Sequence, residues 1–204
     1  MQIKIFCVLI LMSLAVHAQD LHREYYKNKT LRAEGLLAQG VKEGEWKYYY
    51  PSGVLMSREF FSQGVLDGAV TYYHPNGKLQ GREVWRTGVL QDSASYFYNS
   101  GALERTGLYH QGMYAGVWKY FHENGKVEKT VGYKDGLPHG PVAVYNDSGV
   151  LLQEGSYEQG LEHGIWKFYN DEGQLQYSGN YERGHRTGTW YRYDKKGNKK
   201  PWKY

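Results

Sequence analysis

The side chains able to do chemistry are spread along the 204 residues and do not gather into the spacings that chemistry needs. His74 and His122 stand two 24-residue steps apart, and His139 and His163 one step apart. If each step is two strands at about 4.8 Å, these pairs lie roughly 20 Å and 10 Å apart, whereas zinc holds its ligand atoms about 2 Å from one centre. His110 and His185 sit alone in turns. No metal site is expected, and no cofactor. The chain has no G-x-S-x-G, no phosphate-binding glycine loop and no H-E-x-x-H. Glu59 and Glu83 share a column while Glu128 and Glu154 do not, so nothing selects the two carboxylates that glycoside hydrolysis sets at a fixed separation. Cys7 is the only cysteine and lies in an N-terminal apolar run. The rest of the chain therefore lacks disulfides, a thiolate nucleophile and cysteine ligands. No catalytic residue is assigned, and the chain is read as not an enzyme.

What does recur is rings. One column reads Trp46, Val70, Ala94, Trp118, Val142, Trp166, Trp190. Two residues on come Tyr48, Tyr72, Tyr96, Tyr120, Val144, Phe168 and Arg192, and the next column is wholly aromatic, from Tyr49 through Tyr193. Trp46, Tyr48, Trp118, Tyr120, Trp166, Phe168 and Trp190 are thus the candidate binding surface, a row that could stack on sugars or on a partner's side chains. The same rings could instead be the core. A one-layer sheet has no second layer to bury against, cross-strand aromatic pairs contribute about 0.2–1 kcal/mol each, and burying a large apolar side chain contributes roughly 1.5–3 kcal/mol.

The elements that must position these rings are set by glycine. Gly53, Gly77, Gly101, Gly125, Gly149, Gly173 and Gly197 are each 24 residues apart and serve as structural turn residues. Gly40 to Gly184 form a second column at the same step, and Gly44 to Gly188 a third, broken once by Asp92. The first turn of each unit, such as Pro51-Ser52-Gly53 or Glu123-Asn124-Gly125, has the chemistry of a three-residue hairpin loop closed by a glycine bulge. A second break is expected from Gly64 to Gly68, recurring from Gly136 to Gly140. Between the breaks lie runs of six to ten residues rich in Tyr, Trp, Phe and Val, which are strand-like in length and composition. The expected fold is all-β: a single-layer antiparallel array of β-hairpin repeats, without helices in the mature chain. Two glycine turns in every 24 residues exclude a helical repeat, and one column leucine per unit excludes a leucine-rich repeat.

The N-terminus has the layout of an export signal. Lys4 precedes an apolar run from Ile5 to Val16, and Val16-His17-Ala18 offers a small residue for cleavage. The run is shorter than the roughly 20 residues a membrane span needs. Residues 1–18 are read as a signal peptide, and the mature chain as exported, periplasmic or secreted, with no transmembrane segment. One repeat domain then fills 19–204. Its units are a degenerate one at 20–43, full ones at 44–67, 68–91, 92–115, 116–139, 140–163 and 164–187, and a partial cap at 188–204. The net charge of +4 on 25 basic and 21 acidic residues is too dispersed for a nucleic-acid binder. Lys195, Lys196, Lys199, Lys200 and Lys203 near the end either attract an anionic polymer or blunt an edge strand.

The unit from Gly116 through Trp118, Tyr120, Phe121 and Gly125 to Tyr133, Gly136 and Gly140 resembles the MORN repeat, in its longer bacterial variant. Gly164 to Gly184, with Trp166, Phe168, Tyr169, Gly173, Leu175 and Tyr181, matches equally well; Val70, Ala94 and Asp92 depart from the pattern. The resemblance implies a twisted single-layer sheet used for protein or lipid contacts. The functional expectation is a non-catalytic binding scaffold of the bacterial cell envelope, with another envelope protein as partner. The alternatives are a glycan- or wall-binding module using the aromatic rows, and an antitoxin-like neutraliser of an exported toxin, since some bacterial members carry the antitoxin label.

Overall fold

A computed structural model describes residues 19–203, and the export signal expected at 1–18 lies outside them. The described residues form one 17-stranded antiparallel sheet with no helix. Its first strands are β1 (Gln19–Tyr25), β2 (Leu31–Ala38), β3 (Val41–Tyr49), β4 (Leu55–Ser62), β5 (Val65–Leu66) and β6 (Gly68–Tyr73). Next come β7 (Leu79–Arg86), β8 (Val89–Phe97), β9 (Leu103–His110), β10 (Met113–Phe121), β11 (Val127–Lys134) and β12 (Leu137–Tyr145). The ladder ends with β13 (Leu151–Glu158), β14 (Leu161–Tyr169), β15 (Leu175–Glu182), β16 (His185–Tyr193) and β17 (Lys199–Trp202). Each strand pairs with the next in the chain, apart from β5 and β6, which pair with β4 as one interrupted strand. The result is the single-layer meander that the glycine periodicity demands.

One turn per repeat is a three-residue loop. Tyr50 N–H donates to Val54 O and Gly53 N–H to Tyr50 O, each at 2.8 Å, with Gly53 at φ +85°. The second break differs from the expected five-residue segment: it is two separate devices. Gln63 and Gly64, at φ +50° and +82°, make a two-residue turn of the mirror-image type whose twist matches that of its strands. The column glycine four residues later is not in the turn at all. It sits in a bulge, where Gly116, Val117 and Trp118 together face the single residue Gly107, because Ala115 pairs with Leu108 and Lys119 with Thr106. Asp92 occupies the same left-handed position at φ +60°, which a short polar side chain tolerates.

Both edges of the ribbon are tied from repeat to repeat. On the three-residue-loop edge the residue at the mouth of the first five turns reaches a carbonyl 23 positions on: Tyr26 to Tyr49, Tyr50 to Tyr73 and Tyr98 to Phe121 at 2.7–2.9 Å. His74 and His122 make the same contact through Nε2, to Phe97 and Tyr145, at 2.9 and 3.0 Å. Their imidazoles are turn-tying donors. On the opposite edge each turn glycine from Gly64 to Gly184 donates to a carbonyl 22 positions back, as Gly88 does to Leu66 at 2.7 Å. Each hairpin therefore meets only its neighbours, as in other one-dimensional repeat arrays.

Candidate binding surfaces

Alternation along each strand separates two faces. The indole face carries Trp46 and Tyr48 and their column mates. The outward face carries Glu45, Lys47 and Tyr49 and theirs.

On the indole face the candidate row does not stand open. Trp46, Trp118, Trp166 and Trp190 are at most 1% exposed. The exposed stacking surface expected of these four indoles is therefore corrected: they are the core. The bulge before each tryptophan lets its ring fold back across the facing strand and lie on a glycine. A methyl group built on Gly35, Gly107, Gly155 or Gly179 would come within 2.1–2.4 Å of the indole of Trp46, Trp118, Trp166 or Trp190, respectively. Trp118, Trp166 and Trp190 then pack edge-on against neighbouring tyrosines, and Trp46 against Phe61. Tyr114 and Tyr109 stand 4.4 and 5.1 Å from Trp118, and Tyr157 and Tyr181 stand 5.3 and 5.8 Å from Trp166. Trp46, Trp118 and Trp166 donate their N–H to the carbonyls of Leu36, Leu108 and Ser156 at 3.0, 2.9 and 3.2 Å. Lys42 lies 4.7 Å above the Trp46 ring and Arg186 4.5 Å above that of Trp190, adding cation–π attraction. Tyr48, Tyr120 and Phe168, the remaining members of the row, are half-buried between the indoles.

A fourth set of glycines at the 24-residue register, Gly35, Gly107, Gly155 and Gly179, carries the signal for this packing. Tryptophan occurs wherever the residue eleven positions earlier is glycine, and nowhere else in its column: Val70 faces Glu59, Ala94 faces Glu83, and Val142 faces Val131. In those repeats the space is filled differently. Glu83 accepts hydrogen bonds from Tyr96, Trp85 and Tyr72 at 2.6, 2.9 and 3.2 Å. Buried Ser57 donates to Glu59 at 2.8 Å. Burial raises the phenol pKa values of Tyr72 and Tyr96, and the Glu83 carboxylate raises them further. These hydroxyls stay neutral donors.

The outward face is flatter and more exposed. Its wholly aromatic column, Tyr49 to Tyr193, is half-buried. Tyr49 and Tyr169 donate to Glu34 and Glu154 at 2.9 and 2.8 Å. The Tyr49 hydrogen bond holds the Glu34 carboxyl below its ordinary range, and Lys167, ahead of Tyr169, does the same for Glu154. Ile165 and Val117 stand out from this face, 68% and 55% exposed. Between their strands runs a shallow groove of about 430 Å³ whose lining includes Thr130, Pro141, Ala143, Ser156 and Lys167. Among the described residues no three His, Cys, Asp or Glu side chains gather in a way that could hold a metal ion. The described residues contain no helix, and hence none long and apolar enough to cross a membrane.

No curated protein matches the chain. The family model of the MORN repeat variant matches it five times, at residues 42–63, 66–86, 115–135, 138–159 and 162–183, together more than half of its length. The unmatched stretch from 87 to 114 holds Asp92 and Ala94, the two residues that leave the bulge without its glycine and the column without its indole. Repeats of this kind serve as binding and scaffold modules and are generally non-catalytic. With its hairpins, bulges and ring-on-glycine packing in that register, the chain belongs to the MORN repeat variant family.

Proposed function

We propose that the chain is a non-catalytic scaffold of the bacterial cell envelope that holds another protein on the outward face of its C-terminal half. One observation carries this: Ile165 and Val117 stand apolar and uncovered on either side of the shallow groove over β11 to β13. Exposed apolar patches on an otherwise polar surface mark contact sites. A flat groove suits a protein surface better than a small ligand, which normally has 70–90% of its surface buried by its site. The export layout of the N-terminus supports the envelope and speaks against a cytoplasmic antitoxin. Glycan stacking has less support, because the indoles it would use are covered by their own neighbours.

Crosslinking in intact cells, with Ala143→Arg and Ile165→Asp made together, tests the reading. The expected result is one envelope protein recovered with the unmodified chain and lost with the variant, at unchanged melting temperature. Recovery of the same protein with both chains refutes the outward-face site. Saturable sedimentation with purified peptidoglycan, without any protein partner, refutes the scaffold.

A further inference from the structure

The residue that follows each two-residue turn forms a row along the rim of the outward face, apart from the groove. Val41, Val65, Val89, Met113, Leu137 and Leu161 succeed one another at the 24-residue step, each 40–50% exposed. Exposure alone would favour a polar residue in every unit, yet six successive units carry an apolar one. The row is close-set at most steps, with a gap at Gly112, where a built methyl group meets nothing within 4 Å. Methyl groups built on Gly64, Gly136 and Gly184 would meet Val41, Met113 and Leu161 of the preceding turn at 3.3, 3.4 and 3.6 Å. At about 70 Å² of exposed surface per residue, the ridge presents roughly 400 Å², comparable to the largest apolar patch an ordinary monomer carries.

We infer that this ridge is an interface between two copies of the chain, packed antiparallel about a two-fold axis. Three observations select that occupant. First, side chains repeating every roughly 10 Å engage all together only a surface with the same step, and a second copy has it by construction. Second, the residues grade from small to large along the ridge. An antiparallel partner sets Val41 against Leu161, Val65 against Leu137 and Val89 against Met113, so every contact pairs a small side chain with a large one. A parallel partner would set Leu against Leu at one end and Val against Val at the other. Third, the flanking column two residues on reads Glu43 and Asp67 in the first half, His139 and His163 in the second. The antiparallel arrangement brings Glu43 to His163 and Asp67 to His139, whereas the parallel one brings like to like. Such an interface is isologous and closes at two copies. Two ridges bury about 800 Å² before the flanking residues are added, near the lower limit for a specific contact, so the dimer is reversible.

Sedimentation velocity on the full chain carrying Cys7→Ser tests this. A concentration-dependent dimer is expected, weakened about 100-fold by Leu137→Lys because each dimer would bury two ammonium groups, with the melting temperature unchanged. The double variant Val41→Cys, Leu161→Cys should oxidise to a covalent dimer while neither single variant does, since the two positions are five repeats apart within one chain. A chain that stays monomeric at about 100 µM overturns the proposal, as does a dimer indifferent to Leu137→Lys. Crosslinking by Val41→Cys alone would mean a parallel pair and overturn it too. A monomer that binds phosphatidylglycerol vesicles and is released by Leu137→Lys would give the ridge to a lipid surface instead.

Discussion

Replacing Gly107 by alanine exchanges a weak strand former for a better one, so propensity alone expects neutrality or a slight gain. The packing expects the reverse. The new methyl group would lie 2.3 Å from the Trp118 ring, far inside contact distance, and the indole is 0% exposed with Tyr109 and Tyr114 on its flanks. Nothing can give way except the indole, which must leave its seat. The loss then approaches that of deleting a buried tryptophan, about 3–5 kcal/mol. For a chain of this size that is a fall in melting temperature of about 10 °C. Thermal and urea melts followed by circular dichroism measure it. A double-mutant cycle isolates the cause: with Trp118→Val already in place, Gly107→Ala should cost less than about 1 kcal/mol, since Val142 pairs with the still larger Val131 in the same chain. Equal melting temperatures for Gly107→Ala and the unmodified chain would refute the ring-on-glycine account.

Three further outcomes are expected. Gly125, at φ +83° with no atom within 4 Å of a built methyl group, should tolerate Asn but lose about 1–3 kcal/mol as Val, purely from backbone strain; equal melting of the Val variant would remove the turn assignment. Burial, with a hydrogen bond to Glu154, pushes the Tyr169 phenol up to about 12, and burial does the same for Tyr109. A raised folded pKa contributes stability that is whole below pH about 10 and lost toward pH 12; a difference titration between the unmodified chain and Tyr169→Phe in which the missing phenol ionises near pH 10, with strand dichroism intact, would contradict it. Deleting residues 116–139 should leave a shorter ribbon with its strand signal retained, because each hairpin contacts only its neighbours. Complete loss of that signal would point to long-range cooperativity.

Much of the ladder was legible because its determinants are local. Glycine at φ +80° to +93° closes the three-residue loops, and no side chain elsewhere in the fold is needed to specify them. The all-β meander follows from that column and from the aromatic runs between its members. The two-residue turns were harder to read. Gln39, Gln63, Gln111 and Gln159 adopt φ between +50° and +53°, which their residue type does not advertise. The twist of the paired strands imposes it. The Gly44 column looked like part of the same break because its spacing from the turn is short, and only the pairing register shows it as a separate bulge.

By itself, then, the sequence determined where the chain turns and how often, since those are properties of a few adjacent residues. Which rings are core and which are surface was decided by tertiary structure. The difference between an exposed and a buried indole at position 118 lies in a residue eleven positions earlier, set beneath the ring by a bulge that opposes three residues to one. Burial depends on what faces a side chain across the ladder, and that is fixed by register. The same holds for the ridge of Val41 to Leu161: its residues are ordinary strand formers in sequence, and only their common place at the rim of the sheet makes them a surface.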